Sequence, residues 1–383
     1  MLTYNFPRIE HVDDVKQYVE GRDGFRISEK GWYTNVLYTI PSPDIFTGSG
    51  LYETSVLREC RGLVFDKETG RILARPYHKI FNVDQLPETQ RGVIDLSPPH
   101  TVLEKLDGSM VFPVSFGNSG DFRLMTKSGI TETSMRAEKF VSFRPEYQRF
   151  IRMCVKGCKL TPIFEWQSRA DQIVVDYGPE DNLVLTAIRW TVSGEYLSWH
   201  LYEDYGRYWD IPVVRGVDGL QDVEDMDRIV RDVRGWKGLE GVVIRYENGH
   251  MLKLKADDYV LRHRAADGLK SPKRALELVL SGGVDDVVLL LNPGDTGRLL
   301  EYERNVSGRI NGIVDDVTKL YELGVSKHPD KRSFATQFVQ SDEVPERYKN
   351  ILYAVYGGGG VDSVVREFLL KRSGSCLLNG VVY

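Results

Sequence analysis

Apolar positions recur every second residue through much of the first 255 residues, and every third or fourth residue beyond about Ser271. The first spacing gives an extended chain one apolar face and the second gives a helix one, so the switch separates a β-rich part from a helical part. In the first part a helix is predicted over Val12 to Val19, then a strand from Trp32 to Ile40 that Pro41 and Pro43 end. Strands follow at Gly62 to Phe65 and Ile72 to Phe81, around a turn at Asp66 to Gly70, with Pro76 predicting an edge position or a bulge. Thr101 to Leu106 is extended up to the turn Asp107-Gly108-Ser109, after which Val111 to Phe116 resumes. Further strands are predicted at Phe122 to Lys127, Ile163 to Trp166, Leu183 to Trp190 and Tyr196 to Leu201, with a helix at about Val223 to Val233. The last two strands, Gly241 to Tyr246 and Met251 to Lys255, flank Asn248-Gly249, a dipeptide favoured in two-residue hairpin loops.

Beyond Ser271 the apolar residues of Ala275 to Leu280, Val284 to Leu291, Thr296 to Leu323 and Val361 to Leu370 sit at helical spacing. The run Gly357 to Gly360 lacks the Lys-Ser/Thr of a phosphate loop, so it is read as a connector between helices. The predicted fold class is α+β: an antiparallel-β-rich domain over 1–270 and an all-α domain over 271–383.

Composition narrows the function classes. A length of 383 residues with 42% hydrophobic content suits a catalytic body with a smaller appended domain. A net charge of -5 argues against a protein that coats nucleic acid by bulk charge, so any nucleic-acid contact must come from a local basic surface. Cys60, Cys154, Cys158 and Cys376 are too scattered for a disulfide framework, and Cys154 with Cys158 lacks the partners of a zinc site. With neither a leader pattern nor a membrane-length apolar run, the expectation is a soluble, cytoplasmic protein.

Candidate chemistry concentrates in the β-rich part. In Glu104-Lys105-Leu106-Asp107-Gly108 a lysine ends a strand just before a tight turn, where it can reach a bound ligand. A lysine attacks a phosphorus or a carbonyl only as a neutral amine, and a reference pKa of about 10.4 leaves roughly one molecule in a thousand neutral near pH 7.4. Neighbouring cations or burial must therefore lower it. A second stretch opens at Glu240 and continues across the hairpin to Lys253 and Lys255, which share one strand face while Leu252 and Leu254 take the other. Solvated edge lysines would produce the same spacing.

Together, Lys105-x-Asp107-Gly108, Glu165 in PIFEWQ, Glu240-Gly-Val-Val and Lys253-x-Lys255 run in the order of the covalent nucleotidyltransferases. The chain resembles the ATP-dependent polynucleotide ligases and RNA-capping enzymes, and among them the bacteriophage RNA ligase 1 family. The narrower resemblance rests on Arg61 in RECRGLVFD, on Lys79, Phe81 and Asn82 in ARPYHKIFN, and on Lys127 in LMTKSGI; it covers about Arg58 to Tyr259. It implies an ATP-grasp-like nucleotidyltransferase domain in which Lys105 takes AMP from ATP, with Mg²⁺ or Mn²⁺, and passes it to RNA. Lys253 and Lys255 would hold the α-phosphate, Arg61, Lys79 and Lys127 the β- and γ-phosphates, Glu165 the ribose and Glu240 the metal. Phe81 and Asn82 would shape the pocket wall, Gly108 would be among the cofactor-binding residues, and Asp107 would either help position the metal or fix the turn. The implied substrates are RNA 5′-phosphate and 3′-hydroxyl ends, including nicked tRNA anticodon loops, handled by a monomer.

A DNA ligase or GTP-dependent capping enzyme would share the lysine chemistry, but those families usually continue into a small β-barrel where this chain turns helical. A ligase-like RNA-binding protein without catalysis is the non-enzymatic alternative. His78 is read as a packing residue. Arg262, His263, Arg264 and Lys270 are either an RNA-backbone contact or a solvated helix face. Trp190, Trp199, Tyr202, Tyr205, Tyr208 and Trp209 read as an aromatic core before they read as base-stacking platforms.

Overall fold

Alternating burial along the chain resolves into three four-stranded sheets in the computed structural model, which describes residues 6–117 and 121–371. The first sheet joins β1 (Phe25–Lys30), β2 (Tyr33–Tyr38), β3 (Arg61–Asp66) and β4 (Ile72–Ala74) in chain order. The next strands along the chain are β5 (Phe81–Asn82), β6 (His100–Lys105), β7 (Ser109–Phe116), β8 (Asp121–Met125), β9 (Leu160–Gln167), β10 (Asn182–Trp190), β11 (Gly241–Tyr246) and β12 (Met251–Lys255). They form a second sheet in the order β10-β9-β7-β8 and a third in the order β5-β12-β11-β6. Pairing is antiparallel except between β5 and β12.

The third sheet has two unlike faces because side chains alternate along each strand. Val102, Val242, Ile244, Leu252 and Leu254 pack on Ile229, Val230 and Val233 of the helix Met226–Arg234. Burying each of these aliphatic side chains stabilises the sheet by about 1.5–3 kcal/mol. The opposite parity leaves Lys253 and Lys255 on the other face, the one where Leu103 of β6 joins the core around β9 and β10. A one-residue slip of β12 would put both lysines into the apolar layer, so burial of Leu252 and Leu254 fixes the register.

Glu59, at the end of the helix Leu51–Glu59, lies fully buried between two guanidinium groups. Its carboxylate accepts from Arg75 Nε at 3.0 Å and from Arg189 Nη2 of β10 at 2.6 Å. The remaining arginine donors reach the carbonyls of Pro7, Pro76, Val192 and Gly194. These hydrogen-bond partners are opposite charges or carbonyls, the condition under which a buried ion triad is tolerated. Tyr196 lies under Arg189 and its hydroxyl contacts His78 Nδ1 at 2.9 Å, so the triad also fixes the segment that carries Lys79. His78 packs here, as read from the sequence.

By its contacts the chain divides into Met1–Val260 and Leu261–Tyr383. The division falls inside the helix Asp257–Leu269, earlier than Ser271, because the helix runs through the point where strand periodicity stops. The second unit is helical in its described part. Ala275, Leu276, Val279 and Leu280 pack with Val306, Ile310, Ile313 and Val317 of the long helix Pro293–Lys327 and with Ile351 and Leu352 of Glu346–Tyr356. Gly357–Gly360 joins that helix to Val361–Lys371. Among the described residues, no helix is long and apolar enough to cross a membrane. Cys154 is buried and Cys158 half-buried, whereas Cys376 lies outside the described residues.

Three sequence expectations need correction. The strand Ile72 to Phe81 is two strands in different sheets: Arg75 turns inward to Glu59, and Pro76, with no N–H to donate, ends the ladder. Tyr196 to Leu201 is not a strand, because the helix Trp199–Trp209 begins there; Tyr202, Tyr205 and Trp209 recur at helical spacing and pack against the core. The β11–β12 turn is not a two-residue one: Glu247, Asn248 and Gly249 lie inside the pair closed by Tyr246 N donating to His250 O at 2.9 Å, with Gly249 at φ +85°.

Burial alone would raise the Glu59 carboxyl, but the charges and hydrogen bonds of Arg189 and Arg75 outweigh it and lower the group from its ordinary 4.5 to about 2. A depressed folded-state value means stability is fully present above pH 4.5 and is lost as pH falls through about 2. That difference is on the order of 3 kcal/mol. Urea unfolding of the intact chain between pH 6 and pH 2 therefore steepens below about pH 4.5, and Glu59→Gln, less stable at neutral pH, shows a shallower acid dependence.

Candidate active site

Gly241 is the hinge of the site. On β11 it pairs with Lys105 on one side and with Lys255 on the other. Its φ of +145° is one that side chains with a Cβ rarely adopt, and an added Cβ would lie 2.0 Å from the Leu254 carbonyl oxygen. With the backbone turned this way, the Glu240 carboxylate lies between the two strand-end lysines. Oε2 is 2.9 Å from Lys105 Nζ and Oε1 is 2.9 Å from Lys255 Nζ. The Lys105 side chain is 22% exposed and that of Glu240 only 4%, so the attraction is poorly screened.

The charge states follow from these contacts. Burial alone would lower the Lys105 amine, but Glu240, with Glu165 and Asp107 adding to it, raises it above the ordinary lysine value. The expectation of a lysine depressed by neighbouring cations is thus reversed for Lys105 in the protein alone. Depression instead falls on Lys253, lowered to about 7 by burial and then by Lys105, Lys79, Arg61 and Lys255. Glu165 on β9 is raised to about 8, chiefly by burial, with Lys105 opposing. Lys105 acts on Lys253, Glu165 and Glu240, and Lys255 acts on Lys253 and Glu240, which ties these side chains into one electrostatic group.

A second group of cations surrounds Tyr38, which the sequence reading missed. Lys127 Nζ lies 4.1 Å from the centre of the Tyr38 ring and Lys79 Nζ 5.0 Å from it. Lys79 also lies 5.1 Å from the Phe46 ring and 5.5 Å from the Phe81 ring, so three aromatic rings stand around its ammonium. Arg61, Lys79 and Lys127 together hold the Tyr38 hydroxyl below the ordinary phenol range against the opposing effect of burial. Burial lowers Lys79 and Lys127 as well. Gly62, at φ +98°, lets β3 approach Lys127, since an added Cβ would lie 2.9 Å from Lys127 Cα. Asn82 pairs with Lys253 across the β5–β12 ladder, and its side-chain amide donates to Gln85 Oε1 at 2.8 Å.

The turn after Lys105 is held equally closely. A Cβ at Gly108 would lie 2.4 Å from the Trp166 carbonyl oxygen and 3.2 Å from Glu165 Cγ, so this position admits only glycine. Asp107 is buried. Its Oδ2 accepts from Val174 N and Val175 N at 2.8 Å each, and its Oδ1 from the Tyr259 hydroxyl at 2.7 Å. Tyr259, also missed from sequence, carries Lys255 Nζ 4.7 Å from its ring centre. A tyrosine four residues after the second lysine of Lys-x-Lys, on the first turn of a helix, was the available signal.

Among the described residues no group of three or more His, Cys, Asp or Glu side chains could hold a metal ion by itself. What the pocket offers a divalent ion is the Glu240 carboxylate beside a surface suited to phosphate, a donor set that suits an ion keeping most of its water. The cations can receive a polyanion, and Lys105 supplies an amine where that polyanion would lie.

Residues 59–261, more than half of the chain, match the RNA ligase family. A Thermovibrio ammonificans protein assigned in name as an RNA ligase is 32% identical over 188 residues, 49% of this chain and 46% of that protein. RNA ligase 1 of bacteriophage TS2126 is 26% identical over 168 residues, 42% of this chain and 40% of that protein. The chain therefore spans less than half the length of these relatives. A solved archaeal ATP-dependent RNA ligase is 17% identical, with a TM-score of 0.45, covering 65% of this chain and 63% of that one.

Bound anion favours protonated Lys253, so binding raises that amine from about 7. Below that pH the amine is already charged; above it, binding takes up a proton and weakens as pH rises. Calorimetry with inorganic tripolyphosphate at pH 8, in two buffers of different ionisation enthalpy, shows this uptake in the wild type and not in Lys253→Met.

Proposed function

Since the chain belongs to the RNA ligase family, we propose that it joins RNA ends at the expense of ATP, with Lys105 carrying AMP between the steps. The observation that supports this reading most is the placement of one lysine beside Glu240 and Lys255, with Lys253 and the Arg61, Lys79 and Lys127 group acting on the same pocket.

In the first step the Lys105 amine forms a bond to the α-phosphorus of ATP, the bond from that phosphorus to the β-phosphate oxygen breaks, and pyrophosphate leaves. Lys105 must first give up its proton and its pair with Glu240. Once that carboxylate is drawn away, burial and the nearby Lys253 and Lys255 charges favour the neutral amine. Lys253 and Lys255 hold the α-phosphate oxygens, where charge develops, and Arg61, Lys79 and Lys127 hold the leaving pyrophosphate. Glu165, beside the lysine, faces the ribose. Mg²⁺ or Mn²⁺ held by Glu240 through water would supply further positive charge to the phosphates.

In the second step an RNA 5′-phosphate oxygen attacks the adenylate phosphorus, the nitrogen–phosphorus bond breaks and Lys105 regains its proton. In the third, a 3′-hydroxyl attacks the RNA 5′-phosphorus, loses its proton and expels AMP. The natural substrate in this reading is cleaved RNA with a 5′-phosphate and a 3′-hydroxyl, a nicked tRNA anticodon loop being one such molecule.

Incubation with α-labelled ATP and a divalent ion labels the wild type on Lys105, while Lys105→Ala takes no label. Added 5′-phosphorylated RNA then discharges the label and is joined. Label that persists in Lys105→Ala rejects the proposed chemistry, label from GTP in place of ATP favours a capping-type enzyme, and joining of DNA but not RNA favours a DNA ligase.

A further inference from the structure

The aspartate of the Lys105-x-Asp107 turn invites assignment as a metal ligand, yet its carboxylate is already committed. A carboxylate offers about four lone-pair directions, and here the Val174 and Val175 amides and the Tyr259 hydroxyl take three of them at 2.7–2.8 Å. The backbone N–H of Asp107 in turn donates to the Tyr177 hydroxyl at 2.8 Å. Residues 174–177 are therefore bound to the turn from both its side chain and its main chain.

The same segment is anchored a few residues earlier. Asp171 accepts from Arg136 Nε, from Trp166 Nε1 and from Thr133 Oγ1, at 2.9 Å each. Trp166 follows Glu165 on β9, so segment 171–177 ties the strand that carries Glu165 to the turn that follows Lys105. On the other side of the junction, Tyr259 receives the Lys255 ammonium on its ring while its hydroxyl donates to Asp107. One buried carboxylate thereby links three parts of the pocket that are remote in sequence: the Lys105 turn, the 171–177 segment and the Lys255 strand end.

We propose that Asp107 is a positioning residue that acts through Tyr259 and through the Val174–Tyr177 segment, fixing Lys105 and Lys255 relative to each other for adenylyl transfer, and that it does not hold the metal. The inference rests on the ligase reading above. Asparagine preserves the junction: its carbonyl oxygen accepts from the two amides and its NH₂ donates to the Tyr259 hydroxyl. A carboxylate that held the metal would lose affinity for it in that exchange, because the negative charge is removed.

The test compares lysyl-AMP formation by full-length wild type, Asp107→Asn, Asp107→Ala, Tyr259→Phe and Asp107→Ala/Tyr259→Phe, with ATP and Mn²⁺ each titrated. Asp107→Asn is expected to retain the rate at saturating ATP to within about tenfold with an unchanged Mn²⁺ half-saturation. Asp107→Ala is expected to lose about 100-fold in that rate, the scale of a misplaced reacting group, with little change in the KM for ATP. If Asp107 acts through Tyr259, the double variant is no slower than Asp107→Ala alone. An asparagine variant as slow as the alanine variant, a shifted Mn²⁺ requirement in Asp107→Asn, or additive losses in the double variant would each overturn the inference. Tyr259→Phe keeps the ring and tests the link even if Asp107→Ala fails to fold; a rate equal to wild type would sink it. A wild type that takes no label defeats the ligase reading itself, whereas a labelled wild type beside an inactive Asp107→Asn defeats only the role assigned to Asp107.

Discussion

The site depends on a backbone register in which Gly241 is paired on both sides with a lysine-bearing strand end. Only a residue without a Cβ fits there, and its turned backbone places the Glu240 carboxylate between Lys105 and Lys255. The register is in turn imposed from the far side of the sheet, where Leu252 and Leu254 must meet the helix Met226–Arg234. The apolar layer and the charged face are two consequences of one alternation. Disturbing either moves the other.

Electrostatics within the pocket divides the lysines by task. Lys105 and Lys255 share a buried carboxylate and Lys105 stays charged, while Lys253, with cations on several sides, lies close to losing its proton at neutral pH. In the proposed reaction the nucleophile is thus stored in its protonated, unreactive form, and loss of its pair with Glu240 releases it. The polyanion that benefits from the cations around Tyr38 also stabilises the charge on Lys253. Binding and activation then act on the same set of side chains.

Part of this was legible in the sequence because it rests on local periodicity. The alternation Leu252-Lys253-Leu254-Lys255 predicted which lysines share a face, and the turn at Asp107-Gly108 predicted a lysine at a strand end. What could not be read rests on contacts between distant residues. Tyr38 becomes part of the site only because β2 and β3 pair and Gly62 lets Lys127 approach; Tyr259 joins only through Asp107. The Glu59 triad joins residues 16 and 130 positions apart, which no local pattern announces. The helix Trp199–Trp209 was missed for the opposite reason: aromatic residues favour strands locally, and packing against the core of the second sheet overrides that preference. The Lys105 charge state was misjudged because spacing shows which cations are near and not which carboxylate reaches the amine first.

Glu240 holds Lys105 charged in the protein alone, and the most direct measurement of this is NMR titration of the Lys105 Nζ resonance in wild type and in Glu240→Gln. The expected result is an amine that titrates above the ordinary lysine range in the wild type and drops clearly when the carboxylate is replaced. A Lys105 amine already neutral near pH 7.5 in the wild type, or one indifferent to Glu240→Gln, would contradict it.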